Sequence, residues 1–431
     1  MRSGPLLRTV CPSHLYNLSQ ILNQNQYRRT FPLSSLPSLH RIGFTNFFHF
    51  FRNTMSSAVG QNDATAFDQR MSTLLCQGAV HTAIGFASRV GLLEHVSPTP
   101  TSLRDLAQVS GVHWRYVREV CGALVCGDIL LAEKRSSHSA PEASAAADLD
   151  TVYVSLPSHR RATLLGMGKY CEELPLLSAC AFLSLTDSGA RLGTGLGYDS
   201  YTPFTAYMGA LARNQHKERL VQAFIPSVDG GRMHKRMKEV GVRVADAGCG
   251  EGVALVLMAK AYPRSKFVGY DICQEALETA RLAASEEGLD NIEFRWVDFG
   301  VSEEKEGSEV GDRYDWITAF DSIHDQTHPE KALEWARKRL CSDGCFSLVD
   351  IKASSDMLQN KDNSFSPFLY TVSLMHCMPV GMGKDGEGAG LGMVWGEELA
   401  MEMLQKAGFG KVVQEDIPGD SFNVHYLCRA T

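Results

Sequence analysis

Asp246, Asp271 and Asp298 each close a short run of mostly apolar residues, and the first is followed at once by alternating glycines in Asp246-Ala-Gly-Cys-Gly-Glu-Gly252. Gly248, Gly250 and Gly252 permit backbone conformations and close approaches that a β-carbon would block. A ligand can therefore lie against the chain where a helix begins. The spacing is G-x-G-x-G and differs from the dinucleotide pattern G-x-G-x-x-G. Asp271, 25 positions after Asp246, is placed to accept hydrogen bonds from ribose hydroxyls. Further along, His324-Asp325 joins an imidazole, with an ordinary pKa of ~6.5, to a carboxylate that could orient it. That pairing suits removal of a proton from an alcohol or phenol.

These residues need strands and helices to position them. Val242-Arg-Val-Ala reads as a strand opening through the glycines into the helical Val253-Ala-Leu-Val-Leu-Met-Ala. Ser265–Asp271, Ile292–Asp298, Arg313–Asp321 and Gly344–Ile351 read as further strands, with helices expected over 273–287, 329–340 and 396–407. Such alternation specifies an α/β, doubly wound, Rossmann-like domain with a mostly parallel sheet. Lys411-Val-Val-Gln and Phe422–Cys428 close the chain as two more strands.

With three strand-end acids around one glycine turn, residues 236–431 resemble the class I S-adenosylmethionine (SAM)-dependent methyltransferases. The resemblance implies that Asp246, Gly248, Gly250 and Gly252 hold the methionine part of SAM. It also implies that Asp271 holds the ribose and Asp298 the adenine amine, with Phe299 and Phe320 completing the cofactor-binding set. Small-molecule O-methyltransferases similar to this chain carry a catalytic His-Asp pair where His324 and Asp325 stand. By the same resemblance the last strand is antiparallel.

Residues 63–165 resemble a winged helix-turn-helix. Thr101–Gly111 and the run from His113 read as its helices, and segments near 127–132 and 152–156 could pair as its wing across a Ser/Ala-rich loop, 136–148. Its second helix carries only Arg115 and Arg118 as full cations, beside Glu119. Related O-methyltransferases use such a module for dimerisation and for covering substrate, so a homodimer is expected and a nucleic-acid partner is not. Residues 166–235 form a helical connector over the cofactor crevice.

Residues 1–62 hold six arginines and no lysine or acid, so the remainder carries 36 basic against 49 acidic side chains, a formal net of −13. A surface that acidic disfavours phosphate backbones. The first 54 residues resemble a mitochondrial transit peptide, whereas a start at Met55 would give a cytosolic protein. We treat 1–62 as outside the folded domains. No apolar run reaches the ~20 residues that span a bilayer. The twelve cysteines lack paired spacing, which argues against a disulfide framework. His324-Asp-Gln-Thr-His328 imitates a zinc motif, but Pro329 disfavours helical geometry at His328, and no metal is expected.

After the fifth strand, Tyr370, His376 and Met378 could line a partly apolar acceptor pocket beneath a loop with glycines at 381, 383, 386, 388, 390 and 392. Those glycines predict mobility. The expected activity is methyl transfer from SAM to a small organic acceptor, at oxygen. Alternatives are a nucleic-acid or protein methyltransferase whose winged helix recruits the target, and a non-catalytic SAM-binding regulator.

Overall fold

The structure, a computed structural model, describes residues 63–135, 148–300 and 312–430. The transit-peptide reading and most of the 136–148 loop fall outside these residues. The chain divides into two units, Met1–Cys76 and Gln77–Thr431. What is described of the first is the start of a helix, Asp63–Arg89, with Phe67, Met71, Leu74 and Leu75 exposed.

The second unit begins with a small helical region and a three-stranded sheet. Ser102 accepts a hydrogen bond from the Asp105 amide and starts the helix Leu103–Ser110, which Gly111 ends in the left-handed region. The helix Trp114–Cys126 follows. Strands β1 (Thr101–Ser102), β2 (Leu131–Lys134) and β3 (Val152–Ser155) form an antiparallel sheet in the order β1-β3-β2. Leu106, Val117, Leu124 and Leu156 are fully buried between these elements.

Residues 158–239 are helical, chiefly Ser158–Tyr170, Glu173–Ser184, Thr202–Arg219 and Arg232–Glu239, with wide π-type turns at Leu185–Gly189 and Leu220–Phe224. The large sheet follows: β4 (Arg243–Ala247), β5 (Lys266–Asp271), β6 (Ile292–Trp296), β7 (Tyr314–Phe320), β8 (Leu340–Ile351), β9 (Lys411–Ile417) and β10 (Asp420–Arg429). Their order is β6-β5-β4-β7-β8-β10-β9, parallel from β6 through β8, with β10 antiparallel to both neighbours. Chain order reverses between β4 and β7, and that switch point opens a crevice beyond the strands' carboxyl ends.

Apolar cores cover both faces of this sheet, around Leu255, Met258 and Trp316 on one and Leu333, Phe346 and Tyr426 on the other. The fifth strand, expected from Gly344, begins at Leu340, and Ser342-Asp-Gly344 lies inside it, where the pairing with β7 shifts between Tyr314 and Trp316. The extra residues make a local irregularity in the pairing, and the strand continues past them. Among the described residues no helix is long and apolar enough to cross a membrane.

Candidate active site

The glycine turn occupies the switch point. Gly248, Gly250 and Gly252 have φ of +80°, +53° and +70°, a region that favours residues without a β-carbon. Two of them also permit close packing: a β-carbon on Gly248 would stand 2.5 Å from Ser322 Cβ, and one on Gly252 2.6 Å from the Phe294 ring. Gly250 differs. A β-carbon there would meet nothing within 4 Å, so the turn faces open space just before the helix Val253–Ala261.

Asp271 braces the turn. Its carboxylate accepts from the Gly250 amide at 2.7 Å and from the Cys273 amide at 2.8 Å. Burial raises its pKa, against the pull of these amides. Asp246 lies inside the sheet, accepting from the Thr318 hydroxyl at 2.6 Å, and burial pushes its carboxyl up to about 7. Asp298 accepts from the Gly300 amide at 2.8 Å. The Phe299 ring turns into the core against Trp335, with centroids 4.9 Å apart, so any part it takes in the crevice is through its backbone. Phe320 ends β7 beneath His216 and Phe224, at ring distances of 5.3 and 5.8 Å. The helix Thr202–Arg219 also reaches the turn from above, where Arg213 pairs with Glu251 at 3.1 Å.

Beyond β7 the chain turns sharply. Asp321 has φ +47°, unusual for a residue with a side chain, and the Ser322 hydroxyl donates to the Ala247 carbonyl at 2.6 Å. This turn buries His324, only 2% exposed, next to the end of β8. Its Nδ1 lies 2.8 Å from Asp350 Oδ1, and its Nε2 lies 3.5 Å from Asp325 Oδ1. Asp350 therefore orients the ring, a role the sequence had assigned to Asp325. Burial alone would lower the pKa of His324. The Asp350 and Asp325 carboxylates outweigh it and hold the imidazole well above its ordinary value. The arrangement favours the protonated imidazole, in contrast to the expectation of an ordinary pKa of ~6.5.

A second layer comes from distant segments. The Tyr198 hydroxyl donates to Asp325 Oδ2 at 3.2 Å, and His376 Nδ1 lies 3.9 Å from that same oxygen. Tyr201 packs against His376 edge-on and Phe204 packs against it at a tilt, at ring distances of 4.7 and 4.8 Å. Burial lowers the pKa of His376, and burial pushes the neighbouring Cys377 thiol up to about 12. Asp321 is open to solvent but closely surrounded; crowding and then the Asp350 carboxylate push it up to about 7, a shift that its exposure tempers.

The three residues expected to line the acceptor pocket take different partners. Tyr370 accepts from Asn360 Nδ2 at 3.0 Å, while Met378 is backed by Gly392. His376 is the one member of that trio that reaches the Asp325 carboxylate, and it is itself packed among aromatic rings. The glycine-rich loop is tied down, with Gly388, Ala389 and Gly390 donating to the Met382, Thr327 and Gly381 carbonyls. A β-carbon on Gly388 would stand 2.2 Å from the Gly381 carbonyl oxygen. These glycines serve close approach, the other use of a missing side chain. His328 is only the residue before the helix Pro329–Arg339, with non-helical φ of −127°, so His324 and His328 do not share a helical face.

Residues 238–408 match a family model described as a methyltransferase domain. No curated protein sequence matches the chain. Among solved structures it is similar to a putative O-methyltransferase from Nostoc punctiforme, with a TM-score of 0.58 and 17% identity over 86% of this chain and 100% of that one. It is also similar to mitomycin 7-O-methyltransferase, with a TM-score of 0.56 and 15% identity over 85% of this chain and 99% of that one. Human N-acetylserotonin methyltransferase in complex with SAM gives 0.51 and 15% over 87% and 100%. At such identities the likeness is one of fold.

Proposed function

We propose that this chain, which carries a methyltransferase domain over residues 238–408, moves the methyl group of SAM to an oxygen of a small organic acceptor. The observation that carries the reading is the pairing of two sites along one sheet edge. The glycine turn braced by Asp271 lies at the switch point beyond β4, and the buried His324–Asp350 pair lies beyond β7 and β8.

The residues at the turn suit SAM. Gly250 leaves space at the start of a helix, and Asp271 sits where it accepts from ribose hydroxyls while holding the turn. Asp298 and the Phe299 backbone serve the adenine end, and Phe320 with His216 walls the crevice. When bound, SAM supplies a methyl group already activated by its sulfonium. The chain has then to align the acceptor oxygen and take its proton. His324 takes that proton at Nε2, and Asp350 fixes the ring through Nδ1. Because the carboxylates raise the pKa of His324, the proton-accepting form grows in as pH rises above the ordinary imidazole range. Asp325, bonded by Tyr198, stands beside Nε2 and positions the acceptor side of the ring.

The small helical region is assigned to self-association and to covering substrate, not to reading DNA. Of the two cations on the helix Trp114–Cys126, Arg118 is half-buried and pairs with Glu119, and Arg115 lies over Trp114. The homodimer is proposed to use the helix Asp63–Arg89, whose exposed Phe67, Met71, Leu74 and Leu75 fall at i, i+4, i+7 and i+8. A labelled-methyl screen against small-molecule extracts tests the activity: label appears in an acceptor with wild-type protein and is absent with His324→Ala. Label appearing only in nucleic acid or protein would move the assignment to macromolecular substrates.

A further inference from the structure

His324, Asp325 and Cys377 each offer a metal-ligating atom, and these atoms lie within 4.8 Å of one another. Two of the three residues are buried and Asp325 is about one-tenth exposed. We propose that they form a binding site for a soft divalent transition ion of the zinc class, through His324 Nε2, Asp325 Oδ1 and Cys377 Sγ.

Three features of the geometry support this. Ligand atoms at ~2.1 Å from a tetrahedral ion stand ~3.4 Å apart, and His324 Nε2 lies 3.5 Å from Asp325 Oδ1. Asp325 Oδ1 is buried without a hydrogen bond and faces His324 Nε2 across 3.5 Å, longer than a charge-assisted hydrogen bond, so an ion seated between the two would satisfy both atoms. The outer shell is already built. Asp350 bonds His324 Nδ1 at 2.8 Å and leaves Nε2 outward, the carboxylate–histidine arrangement that orients metal-bound imidazoles, and Tyr198 fixes the other Asp325 oxygen. One nitrogen, one oxygen and one sulfur form a donor set suited to zinc or cobalt and not to magnesium or calcium. Cys377 is delivered by the π-type turn Ser373–Cys377, an irregularity that often marks functional positions.

Binding itself does not depend on the methyl-transfer reading. Its consequence rests on that reading: the ion displaces the proton on His324 Nε2 and that of the Cys377 thiol to solvent, and on Nε2 it occupies the lone pair that would take the acceptor's proton, so occupancy silences transfer.

The test uses the full chain, stripped with chelator and titrated with Co2+, with SAM affinity measured on the same samples. One equivalent should produce a sulfur-to-cobalt charge-transfer band that Zn2+ displaces. Cys377→Ser should abolish the band while leaving SAM affinity within about twofold. His324→Ala, a second variant should Cys377→Ser fail to fold, should weaken Co2+ at least tenfold. A SAM-binding wild-type protein with no such band, or a band unchanged in Cys377→Ser, overturns the site. Metal binding together with full turnover by metal-free His324→Ala would instead remove the base assignment and leave the site standing.

Discussion

His324 Nδ1 lies 2.8 Å from Asp350 Oδ1, with both side chains at most 2% exposed. A buried imidazole bonded to a buried carboxylate favours its protonated form, and this decides how activity and stability respond to pH.

Replacing His324 by Ala is expected to leave SAM affinity nearly intact and to cut methyl transfer by roughly 10²–10⁴-fold, the usual worth of a positioned base. The wild-type rate should rise with pH through an inflection above ~6.5. Asp350→Asn removes the first-named carboxylate that favours the cation, so the inflection should move toward acid. A pH–rate profile on an identified acceptor checks both, and an unmoved inflection in Asp350→Asn would separate Asp350 from His324's titration.

The same pair makes a signed statement about folding. A histidine whose folded pKa is raised contributes stability that is fully present below its unfolded pKa of ~6.5 and is lost as pH rises through the folded value. Chemical denaturation at several pH values should show His324→Gln narrowing its deficit relative to wild type at the alkaline end. A deficit that grew with pH would reverse the direction of the shift.

Much of the large sheet was legible because each strand, turn and helix is written locally. Asp246–Gly252, Asp271 and Asp298 could be found without knowing any long-range contact. The partners of His324 could not: Asp350 lies 26 residues away, and Tyr198 lies 127 residues from Asp325. A His-Asp dipeptide therefore pointed to the wrong orienting carboxylate. The loop at 381–392 misled for another reason, since glycine signals both freedom and close approach, and only packing such as Gly388 against Gly381 separates the two. Asp321 gave no local sign of its left-handed backbone.

Two of the turn glycines should respond differently to alanine. Gly252→Ala combines left-handed strain of roughly 1–2 kcal/mol with overpacking of about 1–3 kcal/mol against Phe294. Gly250→Ala carries the strain alone, with no atom within 4 Å of the new methyl. Thermal melting should therefore rank Gly252→Ala below Gly250→Ala, and equal melting temperatures would deny the packing role of Gly252.

Light scattering on residues 63–431 should report a dimer, and Leu74→Asp combined with Leu75→Asp should shift it to monomer, because both are exposed on the helix Asp63–Arg89. A dimer indifferent to those changes would place the interface elsewhere.

SAM binding at the Asp271-braced turn is the central claim, and titration calorimetry tests it most directly. Wild-type protein should bind SAM and S-adenosylhomocysteine, and Asp271→Ala should weaken SAM by about 1.5–3 kcal/mol, as expected when hydrogen bonds to a charged acceptor are lost. Binding of NAD without SAM, or SAM affinity unchanged in Asp271→Ala, would contradict the account.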